Sequence, residues 1–464
     1  MVKNLDFFRS AVELESTHIS TGEVLAWIQD QNHKVHVNIE HKPLKSLNSW
    51  NFNDGMIQHK SGHFFSIIGY GIEYSDSLEK RMWDQPLINQ PEIGILGFLV
   101  KKINGIYHFL VQAKIEPGNV NNVQLSPTLQ ATKSNYSRIH NGLSPKYLEF
   151  FINADRKSVI IDQLQSEQGS RFLKKKNRNI IVEVTGDIKI EENYIWLTLG
   201  QIKLLMSIDN VINMDSRTVL SHLLSTIDMT ISKETFGLNT SILNSFRTDN
   251  EYANLGQIHS FLNAAKSDTS LKISKKKLTD LKNWMINNEE IYHVDRKFFS
   301  VVGVTVTIEN REVKSWDQPM IKPASEGLCI LFCKVINGKM HLLVHRKFEC
   351  GFTDLYELGP TIQTSSSLNE INFDIVPFAN YFKKSGQNKI IFDTKQSEEG
   401  GRFYREENRN ILVLNEHIPT EINDANFIWV TLAQLNHFIQ FSNQVNIQLR
   451  NMFSQIPLKH RYYV

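Results

Sequence analysis

A polar stretch between Gln112 and Gly142 carries most of the side chains in this chain that could do acid–base chemistry. Its titratable candidates are, in order, Lys114, Glu116, Lys133, Tyr136, Arg138 and His140. The largely apolar segment Ile95–Val111 leads into it. A buried strand that feeds a long polar segment is a common way for a scaffold to present functional groups. We therefore expect the chemistry of the protein here.

The chain contains a second, altered copy of this stretch and of much that surrounds it. Trp83-Asp84-Gln85-Pro86 recurs as Trp316-Asp317-Gln318-Pro319, and Ser166-Glu167-Gln168-Gly169-Ser170-Arg171-Phe172 recurs as Ser397-Glu398-Glu399-Gly400-Gly401-Arg402-Phe403. Lys114, Glu116 and Thr128 recur as Lys347, Glu349 and Thr361. Because the order is kept, the pattern indicates a tandem duplication rather than a solenoid of short repeats. It predicts a first repeat over 1–225, a linker over 226–255 and a second repeat over 256–464.

The two copies differ in the residues that could react. The first copy has Tyr136, Arg138 and His140, and the second copy has none of the three. The second copy has Glu357 where the first has Gln124. These differences favour the first repeat as the catalytic one.

Matched pairs of residues suggest ligand contacts, although each pair also has a structural interpretation. Arg171 and Arg402 lie in Gly-rich turns that suit a pyrophosphate, but either could form an Arg–Glu pair within the fold. Trp83 and Trp316 could stack on a nucleobase or anchor the core. Lys114, like its counterpart, ends a strand where a positive charge could meet a phosphate or a developing enolate.

The hydrophobic pattern predicts an α+β fold with antiparallel sheets. Ile103-Asn104-Gly105 is a strong hairpin signal between two apolar segments. The spacing of apolar residues over Pro43–Trp50 predicts a short helix, and Thr198 is a plausible N-cap. We expect turns at Trp83–Pro86 and at Asn177–Asn179.

Composition narrows the class of protein. The chain has 464 residues and a net charge of +2, which gives no electrostatic case for nucleic acid or an anionic membrane. No apolar run approaches a membrane span. Three cysteines suggest a reducing compartment, and we expect a cytoplasmic protein. No standard cofactor motif is present; His341 and His345 share a strand face, but we favour no metal and no cofactor.

These motifs identify a family. The stretch QAKIEPGNVNNVQLSPTLQATKSNYSRIHNG, the segments QSEQGSRF and KNRNIIVEV, and the twice-used WDQP with FFSIIG resemble the NDP-hexose 2,3-dehydratases of deoxysugar biosynthesis. The resemblance covers essentially the whole chain, duplication included. It implies two fused Nudix-like domains, usually in a homodimer, with a nucleotide site in each half. The Nudix hydrolase box is absent.

The resemblance also implies the reaction. These enzymes remove water across C2 and C3 of dTDP-4-keto-6-deoxy-D-glucose, and a partner ketoreductase captures the 3,4-diketo product. The catalytic residues then expected are Lys114, Glu116, Tyr136 and His140. The expected substrate and nucleotide contacts are Trp83, Gln85, Gln124, Thr128, Asn135, Arg138 and Arg171. A second nucleotide site is expected at Trp316, Gln318, Lys347, Glu357, Thr361 and Arg402.

Two other functions remain open at this stage. A hydrolase of nucleoside diphosphate compounds would need clustered glutamates for Mg²⁺, and the sequence has no R-E-x-x-E-E run. A non-catalytic nucleotide-sugar binding protein would be favoured if the polar stretch were degenerate in both copies.

Overall fold

The computed structural model describes residues 2–53, 55–136, 144–226, 240–247, 252–309, 313–383 and 386–458. The described part of the first half contains twelve strands: β1 Val37–Lys42, β2 Trp50–Asn53, β3 Met56–His59, β4 Ser66–Ser75, β5 Lys80–Asn89, β6 Gly94–Ile103, β7 Ile106–Ile115, β8 Val123–Ser126, β9 Leu129–Ala131, β10 Val159–Ser166, β11 Lys176–Glu183 and β12 Tyr194–Thr198. The second half repeats this order with β13 Ser270–Lys276, β14 Trp284–Ile286, β15 Glu290–His293, β16 Phe299–Ile308, β17 Ser315–Pro323, β18 Gly327–Ile336, β19 Lys339–Phe348, β20 Tyr356–Gly359, β21 Ile362–Thr364, β22 Lys389–Ser397, β23 Glu407–Leu414 and β24 Phe427–Thr431.

The described helices are short. They are α1 Val2–Val12, α2 Thr21–Lys34, α3 Lys133–Tyr136, α4 Leu148–Ile152, α5 Leu199–Leu205, α6 Met214–Leu220, α7 Thr240–Ser245, α8 Leu255–Asp268, α9 Ala379–Lys383, α10 Leu432–Ile439 and α11 Ile447–Gln455. Thr198 caps α5, as expected, and Gln201 completes a capping box. Thr431 caps α10 in the same way. None of the described helices has the length and apolar composition that a membrane crossing requires.

Each half contributes one large sheet of seven strands. The first has the order β10-β11-β6-β7-β12, with β8 on β7 and β9 on β6, and the second repeats it as β22-β23-β18-β19-β24 with β20 and β21. All pairings in these sheets are antiparallel except β11 with β6 and β23 with β18. The α+β class and the repeat are therefore confirmed, while the sheets are mixed rather than wholly antiparallel.

The two small sheets exchange strands between the halves. Strand β1 of the first half pairs with β16 of the second, and β13 of the second half pairs with β4 of the first. Each small sheet thus has four strands from one half and one from the other. Hydrogen bonds and apolar faces of one repeat are completed by the other, so the folded repeats are interlocked.

The repeated Trp-Asp-Gln-Pro motif helps to stabilise the strand exchange between the halves. The prediction that this motif forms a turn is wrong. The motif lies inside strands β5 and β17. The Asp317 carboxylate accepts hydrogen bonds from Lys42 Nζ at 2.7 Å and from the backbone N–H of Asn48 at 2.6 Å, both in the first half. Asp84 accepts two 2.8 Å bonds from Lys276 Nζ in the second half. These carboxylates therefore fasten the crossing segments.

Two further local predictions are wrong. Asn177–Asn179 lies within strand β11, where Arg178 pairs with Asp162 across to β10. The predicted helix over Pro43–Trp50 is a single short helical turn at Leu44–Ser46, followed by a strand that begins at Trp50. In both places the cross-strand partners, which local propensity does not encode, decide the structure.

The largest apolar cluster extends through both halves. It joins Phe98 and Phe109 of the first large sheet to Leu342 of the second and to Phe453 of α11. Arg217 on α6 and Arg450 on α11 are fully buried beside it. Arg450 donates to the carbonyl of Ser166 at 2.6 Å, and Arg217 donates to the carbonyl of Ser397. Each arginine of one half thus supports the end of a strand of the other.

Candidate active site

A cavity of about 1050 Å³ opens between the large sheet of the first half and the small sheet of the second. Its first-half wall includes Lys114 and Glu116 at the end of β7. Its second-half wall includes Trp316 and Gln318 from β17, together with Arg402. The site is therefore composite: neither repeat contains all of it.

A short series of hydrogen bonds orients the carboxylate of Glu116 in the first-half wall. Lys114 Nζ lies 3.5 Å from Glu116 Oε1, and both side chains are largely shielded from water. Gln130 donates to the same oxygen at 2.8 Å, and Asn213, the N-cap of α6, donates to Gln130 at 3.2 Å. One face of Glu116 is thus fixed by the protein, while the residue still lines the cavity.

The second-half wall is held in place by backbone contact with the turn that follows Glu116. Gly118 donates to the carbonyl of Gly400 at 2.7 Å, and Arg405 donates to the carbonyl of Gly118 at 2.8 Å. A Cβ atom on Gly118 would lie 1.6 Å from the carbonyl oxygen of Phe403. Glycine is required here because two backbones approach so closely.

Two cations line the cavity near one another. The Arg402 guanidinium lies over the ring of Phe65, 4.6 Å from its centre, and reaches Gln90 Oε1 at 3.5 Å. Lys175 donates to the backbone carbonyl of Glu92. Burial and then the positive charge of Arg402 lower the pKa of Lys175, although Glu167 partly opposes them. Two neighbouring cations in a cavity favour an anionic ligand group.

Three more carboxyl groups line the same cavity. They belong to Glu167, Asp215 and Glu399, and each has one buried oxygen with no hydrogen-bond partner. Burial raises the pKa of Glu399 to about 7; the negative charges of Glu116 and Glu167 add to this effect, and Arg402 opposes it. Burial also raises the pKa of Glu167. Such a group of acids with displaced pKa values suits proton transfer near neutral pH.

The second half contains a mirrored arrangement. Asn446 donates to Gln363 at 2.7 Å, and Gln363 donates to Glu349 at 3.0 Å. These bonds correspond to those by which Asn213 and Gln130 hold Glu116. Here, however, Arg171 forms an ion pair with Glu406 at 3.4 Å. Glu406 stands at the position that Lys175 has in the first repeat. The positions of Asp215 and Glu399 are taken by Gln448 and Gln168. The second arrangement therefore keeps the oriented glutamate and Glu398, the counterpart of Glu167, but it lacks counterparts of Asp215, Glu399 and Lys175.

The structure groups the predicted residues differently from the sequence analysis. Trp83, Gln85 and Arg171, which we assigned to the first site, face the second-half cluster: Trp83 packs near Phe348 and Gln85 donates to the carbonyl of Ser170 at 3.1 Å. Their counterparts Trp316, Gln318 and Arg402 line the first cavity. Strand exchange is the reason, because it places the small sheet of each half over the large sheet of the other.

The remaining predicted contacts have structural partners. The hydroxyl of Thr128 accepts from Leu99 N–H at 2.9 Å and donates to the carbonyl of Leu110, which links β6 and β7, although Thr128 also lines the cavity. Thr361 does the same between β18 and β19. Gln124 donates to Ser397 at 2.6 Å, whereas Glu357 accepts from Ser166 at 2.7 Å. Lys347 donates to the carbonyl of Gln363 at 3.4 Å.

Some of the predicted catalytic and substrate-binding side chains cannot be placed beside these groups. Arg138 and His140 lie outside the described residues. The backbone of Asn135 and Tyr136 belongs to α3. On either side of 137–143, Ser134 and Pro145 line the cavity.

Residues that the sequence analysis did not single out complete the site. They are the cavity groups Lys175, Asp215, Glu399 and Glu167, together with Asn213, which supports Glu116 through Gln130. The duplication itself held a signal for three of them, since Lys175, Asp215 and Glu399 align with Glu406, Gln448 and Gln168.

The histidines of β19 are used for packing. His341 Nδ1 contacts the carbonyl of Lys339 at 3.0 Å, and His345 stacks on Phe427 with ring centres 4.6 Å apart. Among the residues that the structure describes, no group of three or more His, Cys, Asp or Glu side chains is arranged to hold a metal ion.

Comparison with known proteins was made over the full chain. The family model described as NDP-hexose 2,3-dehydratase matches twice, at residues 21–223 and 255–456. The chain is similar to the dTDP-4-dehydro-6-deoxy-alpha-D-glucopyranose 2,3-dehydratase of Saccharopolyspora spinosa, with 36% identity over 97% of this chain and 94% of the relative. The enzymes of the same name from Amycolatopsis orientalis and Streptomyces violaceoruber are each 36% identical; the matches cover 96% and 92% of this chain and 92% and 95% of those relatives.

Proposed function

This chain belongs to the NDP-hexose 2,3-dehydratase family, and from that premise we propose that it converts dTDP-4-keto-6-deoxy-D-glucose to the dTDP-3,4-diketo-2,6-dideoxy sugar by loss of water. The reaction is a β-elimination. A base removes the proton from C3, which the C4 ketone acidifies, and the hydroxyl leaves C2. The resulting enol tautomerises to the diketone, and the reaction needs no redox equivalent.

The oriented Glu116–Lys114 pair at the cavity wall is the observation that carries this proposal. Glu116 is the base for the C3 proton, because Gln130 and Lys114 hold one of its oxygens and its carboxylate borders the cavity. Lys114 lies beside it, where a cation stabilises the enolate that forms at the C4 oxygen. A base and an oxyanion stabiliser within a few ångströms of each other are what an α-proton abstraction requires.

The nucleotide part of the substrate lies against the second-half wall. Arg402 and Lys175 bind the pyrophosphate, because a guanidinium fork and an ammonium group together match its charge. Trp316 supplies an aromatic face for the base or the sugar, and Gln318 holds the indole by accepting its N–H at 2.8 Å. This assignment replaces Trp83, Gln85 and Arg171 in the roles expected from the sequence.

The segment after Gln130 adds groups from the first repeat. Tyr136 acts near the ketone, His140 is a further proton-transfer group, and Asn135 and Arg138 contact the substrate. The support for these roles is that Ser134 and Pro145, on either side of the segment, line the cavity. The second repeat lacks the tyrosine, arginine and histidine.

The second-half cluster serves as a nucleotide site without catalysis. It retains Lys347 and the oriented Glu349 beneath Trp83 and Arg171, but glutamines stand at the positions of Asp215 and Glu399. Elimination in that cluster would lack the additional acids that the first cavity has.

The finer architecture follows the family expectation. Each repeat, over 1–225 and 256–464, has a Nudix-like fold, and the residues from 226 to 255 join them. The protein works as a cytoplasmic homodimer, and a separate 3-ketoreductase reduces the reactive diketone. The exchange of β1 and β13 supports treating the two repeats as one cooperative unit within each subunit.

Incubation with dTDP-4-keto-6-deoxy-D-glucose, a 3-ketoreductase and NADPH tests the reaction. We expect NADPH oxidation and a 2-deoxy nucleotide sugar that carries the mass loss of one water. Release of free dTMP without that product would indicate a hydrolase. Binding without any turnover would indicate a nucleotide-sugar binding protein.

A further inference from the structure

Asp215 is an acid in the first cavity that has no role in the catalytic scheme given above. It follows the N-cap Asn213 in α6, is 4% exposed and lines the cavity together with Lys114 and Glu116. Its Oδ1 is buried and has no hydrogen-bond partner. A buried carboxyl oxygen without a partner is costly unless the group is neutral or a ligand supplies the missing bond.

Asp215 belongs to the same small framework as the proposed base. Asn213, two residues before it, holds Gln130, and Gln130 holds Glu116. The relative placement of the two carboxyl groups is thus set by two hydrogen bonds together with the first turn of α6. An elimination needs this: one group accepts the C3 proton while another donates to the departing oxygen.

The second repeat supplies an internal comparison. It keeps the corresponding framework of Asn446, Gln363 and Glu349, but Gln448 occupies the position of Asp215. A glutamine is one methylene longer than an aspartate and can donate hydrogen bonds, yet its amide has no acidic proton to give. A role for Asp215 in packing or in hydrogen bonding alone would not require a carboxyl group at this position.

The surroundings of Asp215 keep it in the acid form. Burial raises its pKa well above the usual range, and the carboxyl groups of Glu167, Glu116 and Glu399 raise it further, while Lys114 opposes them. A neutral carboxylic acid beside an ionised base gives the two opposite roles that an elimination uses.

We infer that Asp215 is the general acid of the dehydration and donates its proton to the C2 hydroxyl as that group leaves. This inference rests on the proposed function. In the step, Glu116 takes the C3 proton and the C3–H electron pair moves into the enolate, which then forms the C2=C3 bond as the C2–O bond breaks. The oxygen leaves with the Asp215 proton as water, and the proton held by Glu116 returns through water in the cavity to the Asp215 carboxylate.

The test compares two leaving groups at C2. The wild type, Asp215→Asn and the control Asp162→Asn, which changes an exposed aspartate of β10 outside the cavity lining, are each assayed with dTDP-4-keto-6-deoxy-D-glucose and with its 2-deoxy-2-fluoro analogue, because fluoride departs as an anion without a proton. We expect Asp215→Asn to lower kcat on the hydroxyl substrate by about 10²–10⁴ and on the fluoro analogue by less than about tenfold. We expect Asp162→Asn to match the wild type on both.

A second measurement separates an acid from a base or a structural residue. In D₂O, Asp215→Asn should still exchange the C3 proton of the hydroxyl substrate, since Glu116 remains, although elimination is lost. Asp215→Glu should recover part of kcat and shift its alkaline limb, because it restores a proton donor. This variant keeps the test usable if the asparagine protein folds poorly.

Three results would overturn the inference. They are full turnover by Asp215→Asn on the hydroxyl substrate, equal losses on both substrates, and loss of C3 exchange in a folded Asp215→Asn protein. Failure of the wild type to form any 2-deoxy product is a different outcome, because it would remove the proposed function itself.

Discussion

Gly118 donates its backbone N–H to the carbonyl oxygen of Gly400 across 2.7 Å, although the two residues belong to different repeats. The first follows the proposed base Glu116 by two residues, and the second precedes Arg402 by two. This hydrogen bond therefore joins the proton-transfer wall of the cavity to its anion-binding wall. Gly351 and Gly169 repeat it at 2.8 Å around the second-half cluster.

Substituting Gly118 with alanine should destabilise the protein. The new Cβ would lie 1.6 Å from the Phe403 carbonyl oxygen, so the two backbones must separate. We expect a loss of about 3 kcal/mol in the free energy of unfolding, measured by urea denaturation. Gly22→Ala is the control, because no atom lies within 4 Å of its Cβ position and alanine favours the helix that it enters. Equal stability of the two variants would contradict the close approach.

Substituting Asp317 with asparagine should weaken the strand exchange. Asp317 is buried, which by itself raises its pKa, but the bonds from Lys42, Asn48 and Thr305 hold the pKa below 3.8 overall. The carboxylate therefore stabilises the fold above that pH, and this contribution is lost as the pH falls through the lowered pKa. We expect Asp317→Asn to cost about 2 kcal/mol at pH 7 and progressively less below pH 4.

The surface ion pair of Asp162 with Arg178 is the matched comparison for Asp317. Its atoms approach to 2.6 Å, but both side chains are about a third exposed. Asp162→Asn should cost less than about 1 kcal/mol, since exposed pairs contribute little. Thermal unfolding of both variants at pH 7 and pH 3.5 measures the difference. A pH-independent effect of Asp317→Asn would exclude the ionised carboxylate as its cause.

The two repeated arginines should respond differently to the same substitution. Arg402→Gln removes a cation from the first cavity, so KM for the dTDP sugar should rise about 10- to 100-fold. Arg171→Gln should change KM less but should lower the melting temperature more, because it leaves Glu406 buried without its 3.4 Å partner. Steady-state kinetics and calorimetry on both variants check the pattern. A larger rise in KM for Arg171→Gln than for Arg402→Gln would indicate that Arg171, and not Arg402, binds the pyrophosphate.

The sequence was sufficient for the repeat, the α+β class and many local elements. The hairpin around Asn104 and Gly105 and the N-cap Thr198 depend on neighbouring residues, and both are present. Lys114 does lie at the end of a strand. Local patterns and the match between copies carried these predictions.

Which residues come together in each cavity could not be predicted from local sequence patterns. Trp83 and Trp316 are equivalent in sequence, and only the pairing of β1 with β16 and of β13 with β4 decides which cavity each one faces. That pairing joins residues about two hundred or more positions apart, and no local propensity encodes it. The acid Asp215 was missed for a different reason: it lies in a helix far from the polar stretch and reaches the cavity only through tertiary packing.

The buried acid Glu399 should limit the stability of the ligand-free protein. Burial, with Glu116 and Glu167 nearby, raises its pKa to about 7, whereas the unfolded chain releases this proton near 4.5. The folded state therefore binds more protons between these values, and stability falls as the pH rises through that window. Glu399→Gln should remove this penalty, with little effect at pH 5 and a gain on the order of 2–3 kcal/mol at pH 8.

Gln168 occupies the position of Glu399 in the other repeat. Its substitution by glutamate is a control for which we expect a change in stability of the opposite sign. Gln168 donates its amide to the carboxylate of Glu398, and Glu399→Gln would allow the same bond to Glu167. Gln168→Glu would instead place a second carboxyl group beside Glu398, so it should lower the melting temperature more at pH 8 than at pH 5. Calorimetry of both variants at the two pH values is the measurement. If Glu399→Gln gave the same change at both, the carboxyl group would be ionised already at pH 5, and the cavity would not hold its acids in the neutral form that the dehydration uses.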